Sequence, residues 1–256
     1  MRLVIKVGTS TLAHQSGKLN IRRVEELTKV LSDLKNAGHQ IVLVSSGAIG
    51  MGVGKLNLPG RPTDMPTKQA AAAVGQCELM YTYDKLFSEY NHTVAQILIT
   101  GEDIENNVRR VHFINTMEKL LELGALPVIN ENDTVATAEI AVGDNDTLAA
   151  IVAVNIGAEE LILLTDIDGL YTADPKNDKN AKIIRVVDCI DDNIKKLAGG
   201  AGSALGTGGM ATKIHAAEIC TINGVDMIIA NGSNPQILYD ILEGEGRFTY
   251  FKGKKL

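Results

Sequence analysis

Leu3-Val4-Ile5-Lys6-Val7-Gly8-Thr9-Ser10 decides the fold. Leu3 to Val7 is a short apolar run closed by glycine, which reads as a buried strand. A near-continuous apolar run, rather than a strict alternation, is what a strand covered on both faces of a parallel sheet looks like. Outward from it the same grammar recurs. Ile21, Val24, Leu27, Leu31 and Leu34 recur at helical spacing, with Asn20 as N-cap and Gly38 as stop. Ile41 to Val44 is a second strand, ending in Ser45-Ser46-Gly47-Ala48-Ile49-Gly50. A helix follows over Thr67 to Phe87, a strand over Val94 to Ile99, and a helix over Val108 to Leu123 that stops at Gly124. Leu126 to Ile129 is a strand that leads into Asn130-Glu131-Asn132-Asp133.

The second half repeats the pattern. Asp146 is expected to N-cap a helix over Leu148 to Ile156, and Glu160 to Leu164 is a strand ending at Thr165-Asp166. A strand over Lys182 to Val187 comes next, then a helix over Ala211 to Asn223 stopped at Gly224. The series ends with a strand over Asp226 to Ala230 and a helix over Pro235 to Leu242. Alternating strands and helices predict an α/β fold, a three-layer αβα sandwich with a mostly parallel central sheet. Ligands of open α/β sheets bind beyond the carboxyl ends of the strands. The glycine and polar clusters fall there, so several of these loops are expected to share one edge.

Composition narrows the function. Of 256 residues, 45% are hydrophobic and 22% charged, which excludes a disordered or collagen-like chain. The balance of 25 Lys plus Arg against 31 Asp plus Glu, −6 in all, excludes a basic nucleic-acid footprint. Trp is absent and aromatics are 4%, leaving few platforms for base stacking. Cys77, Cys189 and Cys220 are widely spaced and form no CxxC, so a reducing, cytoplasmic location is expected. No signal peptide is expected from Met1 to Gly8, and no apolar run approaches the roughly 18 residues of a membrane span. The unusual feature is 25 Gly against 6 Pro.

The densest glycines, Gly199 to Gly209, feed Met210-Ala211-Thr212-Lys213 and a helix. Such a loop presents backbone N–H groups and a positive dipole end to phosphate, with Lys213 adding a point charge. A flexible loop with a surface lysine fits equally well, because neither GxxxxGK[ST] nor GxGxxG is met. Gly143-Asp144-Asn145-Asp146 reads as a turn and helix cap. Its proximity to Asn130-Glu131-Asn132-Asp133 also admits recognition of an amino group, or the holding of lysines and a metal. Lys6, inside an apolar strand, either snorkels to solvent or faces an anion at the strand end. Dispersed histidines form no HExxH, and no GxSxG elbow or protein-kinase signature is present. Ala70 to Ala73 reads as close helix packing.

Taken together, Lys6-Val7-Gly8-Thr9-Ser10, Val44-Ser45-Ser46-Gly47-Ala48 and the stretch Lys68 to Gln76 resemble segments of the amino acid kinase family. So do Pro127 to Asp133, Gly143 to Asp146, Leu164-Thr165-Asp166 with Gly169-Leu170-Tyr171, and Gly206 to Lys213. They run in family order along nearly the whole chain and most resemble the members that act on glutamate. The resemblance implies ATP-dependent phosphorylation of the γ-carboxylate of L-glutamate, the first step of proline synthesis. It implies one kinase domain over residues 1–256, with a substrate-binding N-terminal half and a nucleotide-binding C-terminal half, and without the C-terminal PUA domain of many relatives. Lys6, Lys213 and Asp146 would be catalytic, with Asp146 orienting both lysines. Ser46, Gly47, Asp133, Asp144 and Asn145 would bind glutamate. Lys6, Gly8, Thr165, Asp166, Thr207, Gly208, Gly209, Met210, Ala211, Thr212 and Lys213 would hold ATP, and Mg²⁺ would sit on the ATP phosphates without a protein cage. Homo-oligomers and feedback by proline, near Met51 to Thr67, complete what the resemblance implies. Two other readings stand beside it: a kinase of the same fold acting on another carboxylate or phosphate acceptor, and a catalytically silent ligand-binding domain.

Overall fold

The structure, a computed structural model, describes residues 1–14, 18–136, 144–175, 177–199 and 209–254. Its centre is β1 (Arg2–Val7), whose side chains alternate between two cores. Leu3, Ile5 and Val7 pack on one side, beneath α2 (Ile21–Asn36) and α4 (Met65–Ser88). Val4 packs on the other, beneath α7 (Asn145–Asn155) and α9 (Met210–Ile222). The remaining strands are β2 (Gln40–Ser45), β3 (Val94–Ile99), β4 (Leu126–Glu131), β5 (Glu160–Thr165), β6 (Val186–Val187), β7 (Asp226–Asn231) and β8 (Phe248–Phe251). Their order is β3-β4-β2-β1-β5-β7-β8-β6. Pairing is parallel from β3 through β7, and β8 runs antiparallel to β7. The expected three-layer sandwich is therefore present, and the carboxyl ends of six neighbouring strands share one edge.

Several local expectations hold. Asn20 accepts a hydrogen bond from the Arg23 N–H, and Gly38, Gly124 and Gly224 follow their helices in the left-handed region that glycine tolerates. Others are corrected. Asp146 is not the N-cap of α7; Asp144 is, accepting from the N–H groups of Asp146 and Thr147. Asp146 lies inside the first turn, which frees its carboxylate. The strand expected over Lys182 to Val187 is confined to Val186–Val187, with a single bridge from Ile183 to Tyr171. The glycine-rich stretch after β2 is not a loop but α3 (Ala48–Lys55).

Two glycines explain that helix. A side chain at Gly75 of α4 would reach to 1.7 Å from the Ala48 carbonyl oxygen, and one at Gly52 would reach to 1.8 Å from that of Ala71. Only hydrogen fits at either point, so α3 and α4 press backbone to backbone. This contact seats the N-terminus of α3 against the end of β2. Among the described residues no helix is long and apolar enough to cross a membrane.

At the opposite edge, where β5 and β7 begin, Glu160 is buried and pairs in register with Asp226. Burial, and then the negative charge of Asp226, push the Glu160 carboxyl up to about 7. The folded state thus binds a proton that the unfolded chain releases nearer 4.5. Stability should therefore fall as pH rises through that window, by on the order of 1–3 kcal/mol. Denaturant titrations from pH 4.5 to 8 should show this slope in the parent and lose most of it in Glu160→Gln; parallel profiles would contradict it.

Candidate active site

Lys6 shares a face with Val4, so the pleat of β1 aims it at the helix layer of α7 and α9. Those helices pack against each other and carry small, fully buried residues: Ala149, Ala150 and Ala153 on α7, Ala216 and Ala217 on α9. The close packing brings three charges from distant parts of the chain together. Lys6 Nζ lies 2.6 Å from Asp146 Oδ1, and Lys213 Nζ lies 3.0 Å from Asp146 Oδ2. The three side chains are only 11%, 1% and 6% exposed for Lys6, Asp146 and Lys213. Burial opposes ionisation of Asp146, but the two ammonium charges and their hydrogen bonds outweigh it and hold its carboxyl below the usual range. The Thr212 hydroxyl stands 3.0 Å from Asp146 Oδ2 and 2.8 Å from the Gly209 carbonyl oxygen, one proton between two acceptors. The cluster carries one net positive charge in a partly dehydrated place, which suits an anion.

Helix ends supply more donors. α1 (Thr9–Leu12), α3 and α9 begin with Gly8, Gly47 and Gly209, and no side chain caps them. By contrast α2, α4, α6 (Asn107–Glu122), α7 and α8 (Asp192–Leu197) are capped by Asn20, Asp64, Asn106, Asp144 and Asp191. The glycine caps follow β1 and β2 or precede Lys213, so helix N-termini without a side-chain cap lie where the lysines are. A side chain at Gly8 would stand 3.8 Å from Lys6 Nζ. Gly47 adopts φ +102°, which a residue with a Cβ would resist.

Of the residues expected to meet the amino acid, Ser46 and Asn145 are bonded to each other, and no bond joins Asp133 to them among the described residues. Asn145 Nδ2 lies 2.9 Å from the Ser46 hydroxyl, 2.9 Å from the Ser45 carbonyl oxygen and 3.0 Å from Asn130 Oδ1. Asn130, which the sequence reading did not single out by itself, belongs to this hydrogen-bond network. Asp144 spends its carboxylate on the α7 cap and on the Thr147 hydroxyl, so it shapes the site by placing Asn145 and Asp146. Asp133 lies two residues past β4, half-buried, and desolvation raises its carboxyl despite the opposing charge of Arg61. An arriving ammonium group would reverse that shift.

On the C-terminal side, Thr165 ends β5 and its hydroxyl donates to Asp166 at 3.1 Å, with Asp166 exposed at the edge. Met210 and Ala211 form the open first turn of α9. Thr207 and Gly208 lie outside the described residues. A further network was not foreseen: Asp168 accepts from Asn231 and Tyr171 and pairs with Arg247 at 3.2 Å. It ties the loop after β5 to the ends of β7 and β8. Among the described residues no group of three or more His, Cys, Asp or Glu side chains is arranged to hold a metal ion.

The sequence model of the Amino acid kinase family matches residues 1–231. The chain belongs to the amino acid kinase family. Among its relatives are two proteins named Glutamate 5-kinase. The one from Clostridium perfringens is 51% identical over 99% of this chain and 96% of its own length. The one from Caldanaerobacter subterraneus is 52% identical over 98% of this chain and 68% of its own length. The fold is shared with UMP kinase from Ureaplasma parvum, at 17% identity, a TM-score of 0.66 and 98% coverage of both chains. It is also shared with carbamate kinase from Giardia lamblia bound to AMP-PNP, at 15% identity, a TM-score of 0.70 and coverage of 99% and 98%.

Removing the charge of Asp146 tests the cluster. Asp146→Asn leaves two buried ammonium groups without their counter-ion and should lower folding stability by about 3–5 kcal/mol. Added polyphosphate should recover part of the loss, read as a larger rise in thermal midpoint than in the parent. An unchanged midpoint would contradict the clamp.

Proposed function

We propose that this chain phosphorylates the γ-carboxylate of L-glutamate, using ATP, as the first step of proline synthesis. The observation that carries the reading is the pair of buried lysines, Lys6 and Lys213, shared by Asp146 at the strand edge between two sets of polar groups. The names of relatives about half identical over nearly the whole chain support glutamate as the acceptor. ATP suits the open helix ends at Gly8, Gly47 and Gly209, and the carbamate kinase of the same fold is bound to AMP-PNP. ATP, with Mg²⁺ on its phosphates, supplies the phosphoryl group and the leaving nucleotide.

The residues of the chain then have definable tasks. The γ-carboxylate of glutamate, with a pKa of about 4.3, is already ionised at pH 7 and needs no general base. The chain must bring two anions into line and offset the charge that spreads over the moving phosphoryl group. Lys6 and Lys213 offset it from opposite halves of the chain, and Asp146 fixes where their ammonium groups stand. The N–H groups at Gly8, Gly47 and Gly209 approach oxygens that side chains would otherwise block. Ser46 and Asn145 hold the acceptor, and Asp133 is the carboxylate for its α-ammonium group. Thr165, Asp166, Met210, Ala211 and Thr212 border the nucleotide, with Thr207 and Gly208 continuing that border. Residues 1–256 act as one kinase domain, acceptor side first. The reading also includes cytoplasmic residence, self-assembly into a homo-oligomer and inhibition by proline.

The product distinguishes this from kinases with other acceptors. A γ-glutamyl phosphate is an acyl phosphate, which hydroxylamine converts to a hydroxamate. Purified protein with ATP, Mg²⁺ and hydroxylamine should form hydroxamate with L-glutamate and little with aspartate or acetylglutamate. Hydroxamate or ADP arising with another acceptor instead, or with none, would overturn the reading.

A further inference from the structure

α4 carries three polar side chains at seven-residue spacing, Gln69, Gln76 and Tyr83, which place them on one helical face. That face lies against the acceptor side of the site. Gln69 donates to the Ala136 carbonyl oxygen, Gln76 accepts from Asn130, and the Tyr83 hydroxyl lies 2.9 Å from the Ser45 hydroxyl. The middle member is unusual. Gln76 is 8% exposed, its Oε1 accepts from Asn130 Nδ2 at 3.0 Å, and its Nε2 has no hydrogen-bond partner.

The backbone fixes which end of that amide faces which way. The Glu131 N–H donates to Asn130 Oδ1 at 2.9 Å, so this atom is the oxygen and its neighbour the amide nitrogen. Asn130 Nδ2 therefore donates, and the Gln76 atom receiving it is the oxygen. The unpartnered atom is then an N–H₂ buried without an acceptor, which costs about 1–3 kcal/mol. A helix that needed only packing here would carry Leu or Met. The oxygen must accordingly be worth more to the molecule than the stranded nitrogen costs.

That oxygen begins a chain of amides. It orients Asn130, whose Oδ1 faces Asn145 Nδ2 at 3.0 Å, and Asn145 Nδ2 is 2.9 Å from the Ser46 hydroxyl. We propose that Gln76 is a positioning residue for the amino acid acceptor, acting through Asn130 and Asn145 to set the Ser46 hydroxyl. The inference rests on the reading that Ser46 and Asn145 meet the acceptor. It predicts a separation of effects, because among the described residues the amide chain bonds only to the acceptor side.

Gln76→Met keeps the side-chain shape. It removes one unsatisfied donor and strands another, Asn130 Nδ2, so folding stability should stay within about 1 kcal/mol of the parent. The KM for glutamate should rise about tenfold or more while the KM for ATP stays within about twofold. In a double-mutant cycle with Asn145→Ala, the double variant should be little worse than Asn145→Ala alone. An unchanged glutamate KM, additive effects, equal rises in both KM values, or failure of Gln76→Met to fold would each overturn the proposal. If the parent forms no glutamate hydroxamate, the functional reading fails before Gln76 is tested, so the two failures are distinguishable.

Discussion

A carboxylate held between two ammonium groups out of water is stable only if all three charges are brought in together. Asp146 with Lys6 and Lys213 is such a set, and the elements around it answer to its geometry. Lys6 comes from the central strand, Asp146 from the first turn of one helix and Lys213 from the first turn of another. Removing one partner from a buried charged set is strongly destabilising, whereas an apolar core in the same place is often neutral or better. The cluster is thus a poor investment for folding alone, and its surplus positive charge gives it a use.

Parallel pairing makes the arrangement possible. Because β1, β2, β4 and β5 run the same way, their carboxyl ends deliver Lys6, Ser45, Glu131 and Thr165 to one edge. The helices that return from this edge begin there, with their dipoles positive toward the site. Where such a helix begins with a glycine, no side chain caps it; where it begins with Asp144, the cap places Asn145 and Asp146 instead. The contact of α3 with α4 through Gly52 and Gly75 holds the Gly47 end against β2.

Much of this was legible in the sequence. Strands buried on both faces are apolar runs, and Leu3 to Val7, Ile41 to Val44 and Leu126 to Ile129 stood out for that reason. Lys6 stood out as the charged residue in such a run. What sequence reasoning missed has physical causes. Asp144 and Asp146 both precede the same apolar helix, and only the folded backbone shows which carboxylate reaches the free N–H groups. Ala48 to Lys55 is too rich in glycine to read as a helix, yet those glycines are what its contact with α4 requires. Val186–Val187 is too short to declare its strand bounds. The spacing of Gln69, Gln76 and Tyr83 is visible in the sequence, but the direction of their face is decided by tertiary packing.

In the proposed reaction the paired lysines act chiefly on the charge of the moving phosphoryl group, and less on bound ATP. Binding of ATP, and of MgADP with aluminium fluoride and glutamate, can be compared calorimetrically in the parent and in Lys213→Ala. The variant should lose less than about tenfold in affinity for ATP and about a hundredfold or more for the transition-state mimic. Equal losses for the two ligands would contradict it.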